Sequence, residues 1–273
     1  MNNLLLVGYK PVFMTSNAYL SSLKKKYAIS SGGYFGTLDP FAKGVMILAF
    51  GQFTRLFPYL SKTSKTYRAT LWLGAKSQSL DIENILSVKE VPEVRQEEIL
   101  DIFKTLKGEV TYIPPKFSAK KINGRRAYEL ARKGIDFDLK AVKMEIFELK
   151  LLCYQHPFVT FEAKVSGGSY VRSIGEMIAQ KLGLNGILSS LERIEECGVR
   201  LDQSQEKKIN PLEILKMPVV RDERLQTFVE NGKKIQLENY ENGFYVLDFR
   251  DFFSIIEVKE SNVKYCLNRI LKC

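Results

Sequence analysis

Asp39 is the residue around which this chain's chemistry is most readily built. It lies in Gly32-Gly33-Tyr34-Phe35-Gly36-Thr37-Leu38-Asp39-Pro40-Phe41-Ala42-Lys43-Gly44, where four glycines fall within thirteen residues. Glycine admits backbone conformations and close approaches that a side chain blocks. Pro40 fixes its own φ and biases Asp39 away from the helical region. Val45-Met46-Ile47-Leu48-Ala49-Phe50 follows, apolar and of strand length. The segment predicts a sharply defined loop that presents one carboxylate and is braced by a buried strand. A plain Gly/Asp/Pro turn between two strands has the same local composition.

The remaining reactive inventory is thin. There is one histidine, His156, directly before a proline, and four cysteines, Cys153, Cys197, Cys266 and Cys273, none paired at metal-ligand spacing. Neither a metal site nor a disulfide framework is suggested. No Gly-x-Ser-x-Gly occurs, so a serine-hydrolase triad finds no support. Chemistry must run on carboxylates, Arg, Lys and Tyr. No apolar run approaches the length that spans a membrane, and Met1-Asn2-Asn3-Leu4-Leu5-Leu6-Val7-Gly8 lacks the charged start and cleavage site of a signal peptide. A cytoplasmic protein is expected.

The chain has 273 residues and a formal net charge of +10. From Arg221 onward nine Lys/Arg balance nine Asp/Glu, so the excess lies in residues 1–220. Met1 to Leu60 carries six basic residues and one acid, and Lys116 to Lys133 seven and one. Asp81 to Asp101 runs the other way, with seven acids and two bases. Patchy positive charge of this kind suits a polyanionic partner.

Several elements must hold these residues. Leu4–Val7 reads as a buried strand, with Gly8-Tyr9-Lys10-Pro11 turning out of it. Thr15-Ser16-Asn17 offers a cap to a helix over 18–27, whose basic end suits the dipole. Tyr67, Ala69, Leu71 and Leu73 alternate as one strand face. Residues 97–106 predict a helix, Lys143–Leu152 and Pro157–Val165 an antiparallel pair, and Ser173–Leu182 a helix ended by Gly183. Residues 195–220 read as a linker with a short helix after Asn210-Pro211, and the tail as a small all-β unit.

Set in order, these segments resemble the TruB family of tRNA pseudouridine synthases. Gly-x-x-Gly-Thr-Leu-Asp-Pro-x-Ala-x-Gly-Val matches that family's catalytic loop, whose aspartate is the catalytic residue. Lys10-Pro11 with Ser16-Asn17 is similar to its first motif, Lys65-x-Tyr67 to the head of its base-stacking strand, and Gly51-x-x-Thr54-Arg55 to a helix start. Pro115-Lys116-Phe117-Ser118-Ala119-Lys120-Lys121-Ile122-Asn123-Gly124 through Tyr128 and Ala131-Arg132-Lys133-Gly134 resembles its mobile thumb. Gly168-Ser169-Tyr170-Val171-Arg172-Ser173-Ile174 resembles the segment whose arginine pairs with the catalytic aspartate, and Leu188–Arg193 its Leu-x-Arg turn. Tyr34-Phe35 stands where the family has His-Thr, leaving an aromatic ring to stack on a base.

The resemblance covers roughly residues 4–200. It implies Asp39, Tyr67 and Arg172 as catalytic residues, and Tyr34, Tyr170, Leu191, Lys10 and Asp81 as substrate-binding. Lys116, Lys120, Lys121, Arg125, Arg126 and Arg132 would meet RNA, and Arg193 would be structural or phosphate-binding. The expected activity is conversion of uridine 55 in the T arm of tRNA to pseudouridine, with Asp39 as nucleophile and no cofactor or metal. A synthase for another RNA and a non-catalytic RNA-binding protein are the alternatives. The expected fold is α+β: a mixed, mainly antiparallel sheet flanked by helices. The catalytic domain would span 1–210 with a thumb at about 114–141, and a short PUA-like β domain 221–273. A monomer is expected.

Overall fold

The computed structural model describes residues 3–60, 64–122, 124–201 and 206–272. Met1, Asn2, Asn123 and Cys273, named above, lie outside the described residues. In chain order the elements are β1 (Leu4–Lys10), α1 (Ser16–Lys26), β2 (Gly32–Tyr34), β3 (Lys43–Phe50), a 3-10 turn (Gly51–Leu56), α2 (Phe57–Leu60), β4 (Lys65–Leu73), β5 (Ala75–Ser77), β6 (Ile85–Val88), α3 (Gln96–Leu106) and β7 (Gly108–Tyr112). There follow β8 (Lys121–Ile122), β9 (Arg125–Arg126), α4 (Ala127–Arg132), β10 (Val142–Gln155), β11 (Phe158–Val165), α5 (Val171–Lys181), β12 (Gly186–Glu196), β13 (Val199–Arg200), β14 (Lys207–Lys208) and α6 (Pro211–Leu215). The tail holds β15 (Val219–Val220), a 3-10 turn (Glu223–Leu225), α7 (Gln226–Glu230), β16 (Gly243–Asp248), β17 (Phe252–Lys259) and β18 (Asn262–Leu271).

Ten strands form one mixed sheet in the order β14-β1-β3-β12-β4-β11-β10-β7, with β2 on β3 and β13 on β12. Among the described strands of this sheet, only β3 and β12 run parallel. Side chains alternate across a strand, and β1 and β3 use both faces. Leu6, Met46, Leu48 and Phe50 join one core with α1, α3 and α5. Leu5, Val7, Val45, Ile47 and Ala49 join a second core with Phe53, Phe253, Ile255 and Ile270. That second core seats the tail sheet, β15-β16-β17-β18, on the back of β1 and β3. The α+β expectation holds: helices lie on a large mixed sheet and a separate small sheet follows.

Four local expectations need correction. β1 runs on through Gly8, Tyr9 and Lys10, because pairing with β3 continues to Lys10 opposite Gly44. Leu188–Arg193 is not a turn but the middle of β12, hydrogen-bonded to β4. Residues 195–220 are more than a linker: β14 pairs with β1 at the sheet edge. The tail is not all-β, since Glu223–Leu225 and α7 precede its hairpins.

Candidate active site

Arg172 sits in the first turn of α5, which starts directly after the Ser166–Tyr170 turn. Its guanidinium is 3% exposed and meets three distant segments. Nη2 lies 2.9 Å from Asp39 Oδ2 and Nη1 3.1 Å from Asp81 Oδ2. Nη1 also donates to the Ser79 carbonyl at 2.7 Å, and Nη2 to the Phe117 carbonyl at 2.9 Å. A guanidinium is built for this, being planar, always charged and able to fork between oxygens. The Asp39 side chain keeps 29% exposure, whereas Asp81 keeps 4%. Asp81 Oδ1 accepts from the Ser79 hydroxyl at 2.5 Å and the Glu83 N–H at 2.9 Å. Burial pushes the Asp81 pKa up, against the pull of Arg172.

Two buried cations hold the Asp39 loop from beneath. Lys10 is fully buried, and its ammonium donates to the carbonyls of Pro11, Met14 and Ala42 at 2.8, 2.7 and 2.6 Å. Burial lowers its pKa to about 8, with Asp39 opposing and Arg193 adding to the shift. Arg193 is also fully buried; it donates to Val45 O at 2.7 Å and Gly36 O at 3.0 Å, and its Nη2 lies 3.3 Å from Glu196. Burial works against its charge, and Glu196 and Tyr67 outweigh that, raising its pKa. Glu196 pairs with Lys65 at 3.0 Å and accepts from the Ile47 N–H at 2.9 Å. Gly44, at φ +123°, leaves no room for a Cβ, which would lie 2.3 Å from the Arg193 carbonyl where β3 meets β12. Ser16 fastens the loop's other side, donating to Leu38 O at 2.8 Å and accepting from Leu38 N at 2.9 Å.

The expected residues therefore divide. Asp39, Arg172 and Asp81 come together, with Asp81 enclosed behind Arg172 rather than open to a substrate. Lys10 was expected to touch substrate, and its burial and four carbonyl partners, Pro40 O at 3.5 Å being the fourth, make it a clamp on the loop. Arg193 was expected to be structural or phosphate-binding, and full burial makes it structural, a strut. Tyr67 and Leu191 share one sheet face, opposite Arg193 and Ala69 respectively, both nearly buried. Tyr34 ends β2 half-buried and Tyr170 precedes α5 half-buried. Lys116, Lys121, Arg125, Arg126 and Arg132 are exposed and Lys120 is half-buried. Sequence reasoning passed over Glu196 and the Phe117 carbonyl, and it placed Ser16 and Lys65 in motifs without assigning them these contacts. For Glu196 one signal existed, an acid three residues from Arg193 in an otherwise sheet-forming run.

A family model described as TruB family pseudouridylate synthase (N terminal domain) matches residues 24–171. The chain belongs to the TruB family of pseudouridylate synthases. A protein named tRNA pseudouridine synthase B from Helicobacter hepaticus (strain ATCC 51449 / 3B1) is 54% identical over 98% of this chain and 96% of its own. One of the same name from Campylobacter jejuni subsp. jejuni serotype O:2 (strain ATCC 700819 / NCTC 11168) is 49% identical over 99% of this chain and 100% of its own. The fold is similar to that in the structure of an H/ACA RNP bound to a substrate RNA containing 2'-deoxyuridine, with a TM-score of 0.70, 16% identity, and coverage of 99% of this chain and 86% of that chain. As a TruB-family member the chain is an isomerase, and uridine and pseudouridine contain the same atoms. Among the described residues no helix is long and apolar enough to cross a membrane. Of the carboxylates described in this TruB-family site, Asp39 is the one that combines a buried cationic partner with an open side.

Proposed function

We propose that this chain converts uridine 55 in the T arm of tRNA to pseudouridine, with the Asp39 carboxylate as nucleophile, acting as a cytoplasmic monomer without metal or organic cofactor. The reading is carried by the 2.9 Å pair of Asp39 with the buried Arg172. The Arg172 guanidinium holds one side of the Asp39 carboxylate in a fixed orientation and leaves its outer side free to attack. The names of relatives at 54% and 49% identity support tRNA as the RNA.

The reaction breaks the C1'–N1 bond, turns the uracil and joins C1' to C5. The C5 proton leaves and N1 takes one up, so no outside oxidant or group donor is required. A uridine inside folded RNA must first be extruded, at a cost of roughly a few kcal/mol, and then held by stacking and edge contacts. Tyr67, Tyr170 and Leu191 supply that pocket, and Tyr67 assists removal of the C5 proton. Tyr34 stacks on a neighbouring base. Lys116, Lys120, Lys121, Arg125, Arg126 and Arg132 neutralise phosphates.

The test is an unmodified tRNA transcript carrying tritium at uridine C5. Tritium should be released with pseudouridine mapping to position 55, and a transcript with cytidine there should release none. Asp39→Asn should lower turnover by roughly a thousandfold or more while keeping tRNA affinity. Full turnover by Asp39→Asn, or pseudouridine only at other positions, overturns the proposal.

A further inference from the structure

We propose that the Phe13 ring is a stacking platform for one unpaired nucleobase of the substrate RNA, at the rim of the Asp39 loop. The inference rests on the pseudouridine-synthase reading of the site. Phe13 is 74% exposed, more than any other large hydrophobic side chain among the described residues. Its φ is +57°, in the left-handed region that bulky side chains avoid. The position is therefore disfavoured twice, by backbone strain and by apolar surface left in water. Stability alone would select glycine or asparagine there. A strained, exposed aromatic next to a reactive loop points to a ligand.

The segment is also fixed relative to Asp39. Lys10 draws Pro11 O, Met14 O and Ala42 O onto one ammonium, at 2.8, 2.7 and 2.6 Å. Ser16 bonds the backbone of Leu38 twice, at 2.8 and 2.9 Å. The residues on either side of Phe13 are thus stitched to the residues on either side of Asp39. A molecule delivered to Asp39 passes this rim. RNA is favoured over a protein partner because it must approach this loop, because residues 1–60 carry six basic residues against one acid, and because every base offers a flat π-face to an aromatic ring.

The experiment uses the full chain and a tRNA-arm stem-loop. Its unpaired nucleotides are replaced one at a time by an abasic residue, and Kd is measured for the wild type, Phe13→Gly and Phe13→Trp. Phe13→Gly should weaken binding about tenfold, with a Tm at or above that of the wild type because glycine relieves the left-handed strain. Phe13→Trp should bind as tightly as the wild type. At one position the abasic residue should cost the wild type about tenfold and cost Phe13→Gly nothing further, the coupling expected of two groups in contact. Wild-type Kd for Phe13→Gly, or no abasic position coupled to residue 13, overturns the proposal. Because Kd is read without turnover, this outcome is separate from a failure to form pseudouridine, which would instead overturn the proposed function.

Discussion

Asp39 and Asp81 share one guanidinium and differ in what else they can reach. Arg172 lies 2.9 Å from Asp39 and 3.1 Å from Asp81, while the side chains keep 29% and 4% exposure. One buried cation against two carboxylates leaves the outer one available and the inner one as an anchor.

Asp81→Asn keeps the size of the anchor and removes its charge. Arg172 then answers only to Asp39 and is drawn more tightly onto it, which occupies the lone pairs needed for attack. The single-turnover rate should fall about tenfold, the effect of roughly 1.4 kcal/mol, with tRNA Kd little changed. Arg172→Lys should cost more, because an ammonium cannot fork between two carboxylates and two carbonyls. A rate equal to wild type for Asp81→Asn would remove Asp81 from the site.

Glu196→Gln tests the strut under the loop. Glu196 is fully buried between Arg193 and Lys65, at 3.3 and 3.0 Å. The amide would leave two enclosed cations without an anion, a loss of about 3–5 kcal/mol for a broken buried pair. At about 2–4 °C per kcal/mol for a chain of this size, Tm should drop by roughly 10 °C. Gly36→Ala should disturb the same cluster from above, since its Cβ would lie 2.2 Å from Lys65 Nζ and 2.6 Å from Glu196 Oε1. A Tm within about 2 °C of wild type for Glu196→Gln would mean the three charges are not coupled.

The sequence carried the frame of this site further than its supports. β1 and β3 were readable as continuous apolar runs of strand length, since both of their faces are buried, and β4 was readable from its period-two alternation. The Asp39 and Arg172 segments were readable because their residue patterns are long and specific, although the two lie far apart in the chain. The middle of β12 was missed as a strand because Arg193 and Glu196 look like surface charges. Only folding brings Lys65 and the Gly36 carbonyl to them and makes burial tolerable. Lys10 looked like a substrate contact for a similar reason: its partners are backbone carbonyls, which leave no mark in a sequence. The helical turns of the tail, Glu223–Leu225 and Gln226–Glu230, are too short to show a helical period.

Lys10 gives the site a pH limit. Its pKa falls from 10.5 to about 8 on burial. Between those values the unfolded chain still holds a proton that the folded chain has released, so this group makes the fold more stable as pH rises through the window. The neutral amine, however, offers two N–H groups to four carbonyls, and the clamp on Ala42 loosens. Activity should therefore decline above about pH 8 while the Tm difference between wild type and Lys10→Met shifts in favour of the wild type. Parallel pH profiles of activity and Tm for the two proteins decide it. A Lys10→Met profile that keeps the same alkaline limb would assign that limb to another group.

The β8–β9 pair carries a prediction about salt. β8 and β9 set Lys121 directly opposite Arg126, and Ile122 opposite Arg125. Like charges facing each other across a two-residue hairpin are unfavourable, and a phosphate between them removes that cost. Lys116 differs, being held by Asp136 at 2.7 Å and so partly neutralised already. Removing one cation that meets a phosphate should flatten the plot of log Kd against log salt by about 0.7–0.9. Lys121→Ala with Arg126→Ala should therefore lower the slope by roughly 1.4–1.8, and Lys116→Ala by less than either alone. Arg193→Lys should leave the slope where it is, because residue 193 is buried under the loop. An unchanged slope in the Lys121/Arg126 double variant would mean that RNA does not cross this hairpin.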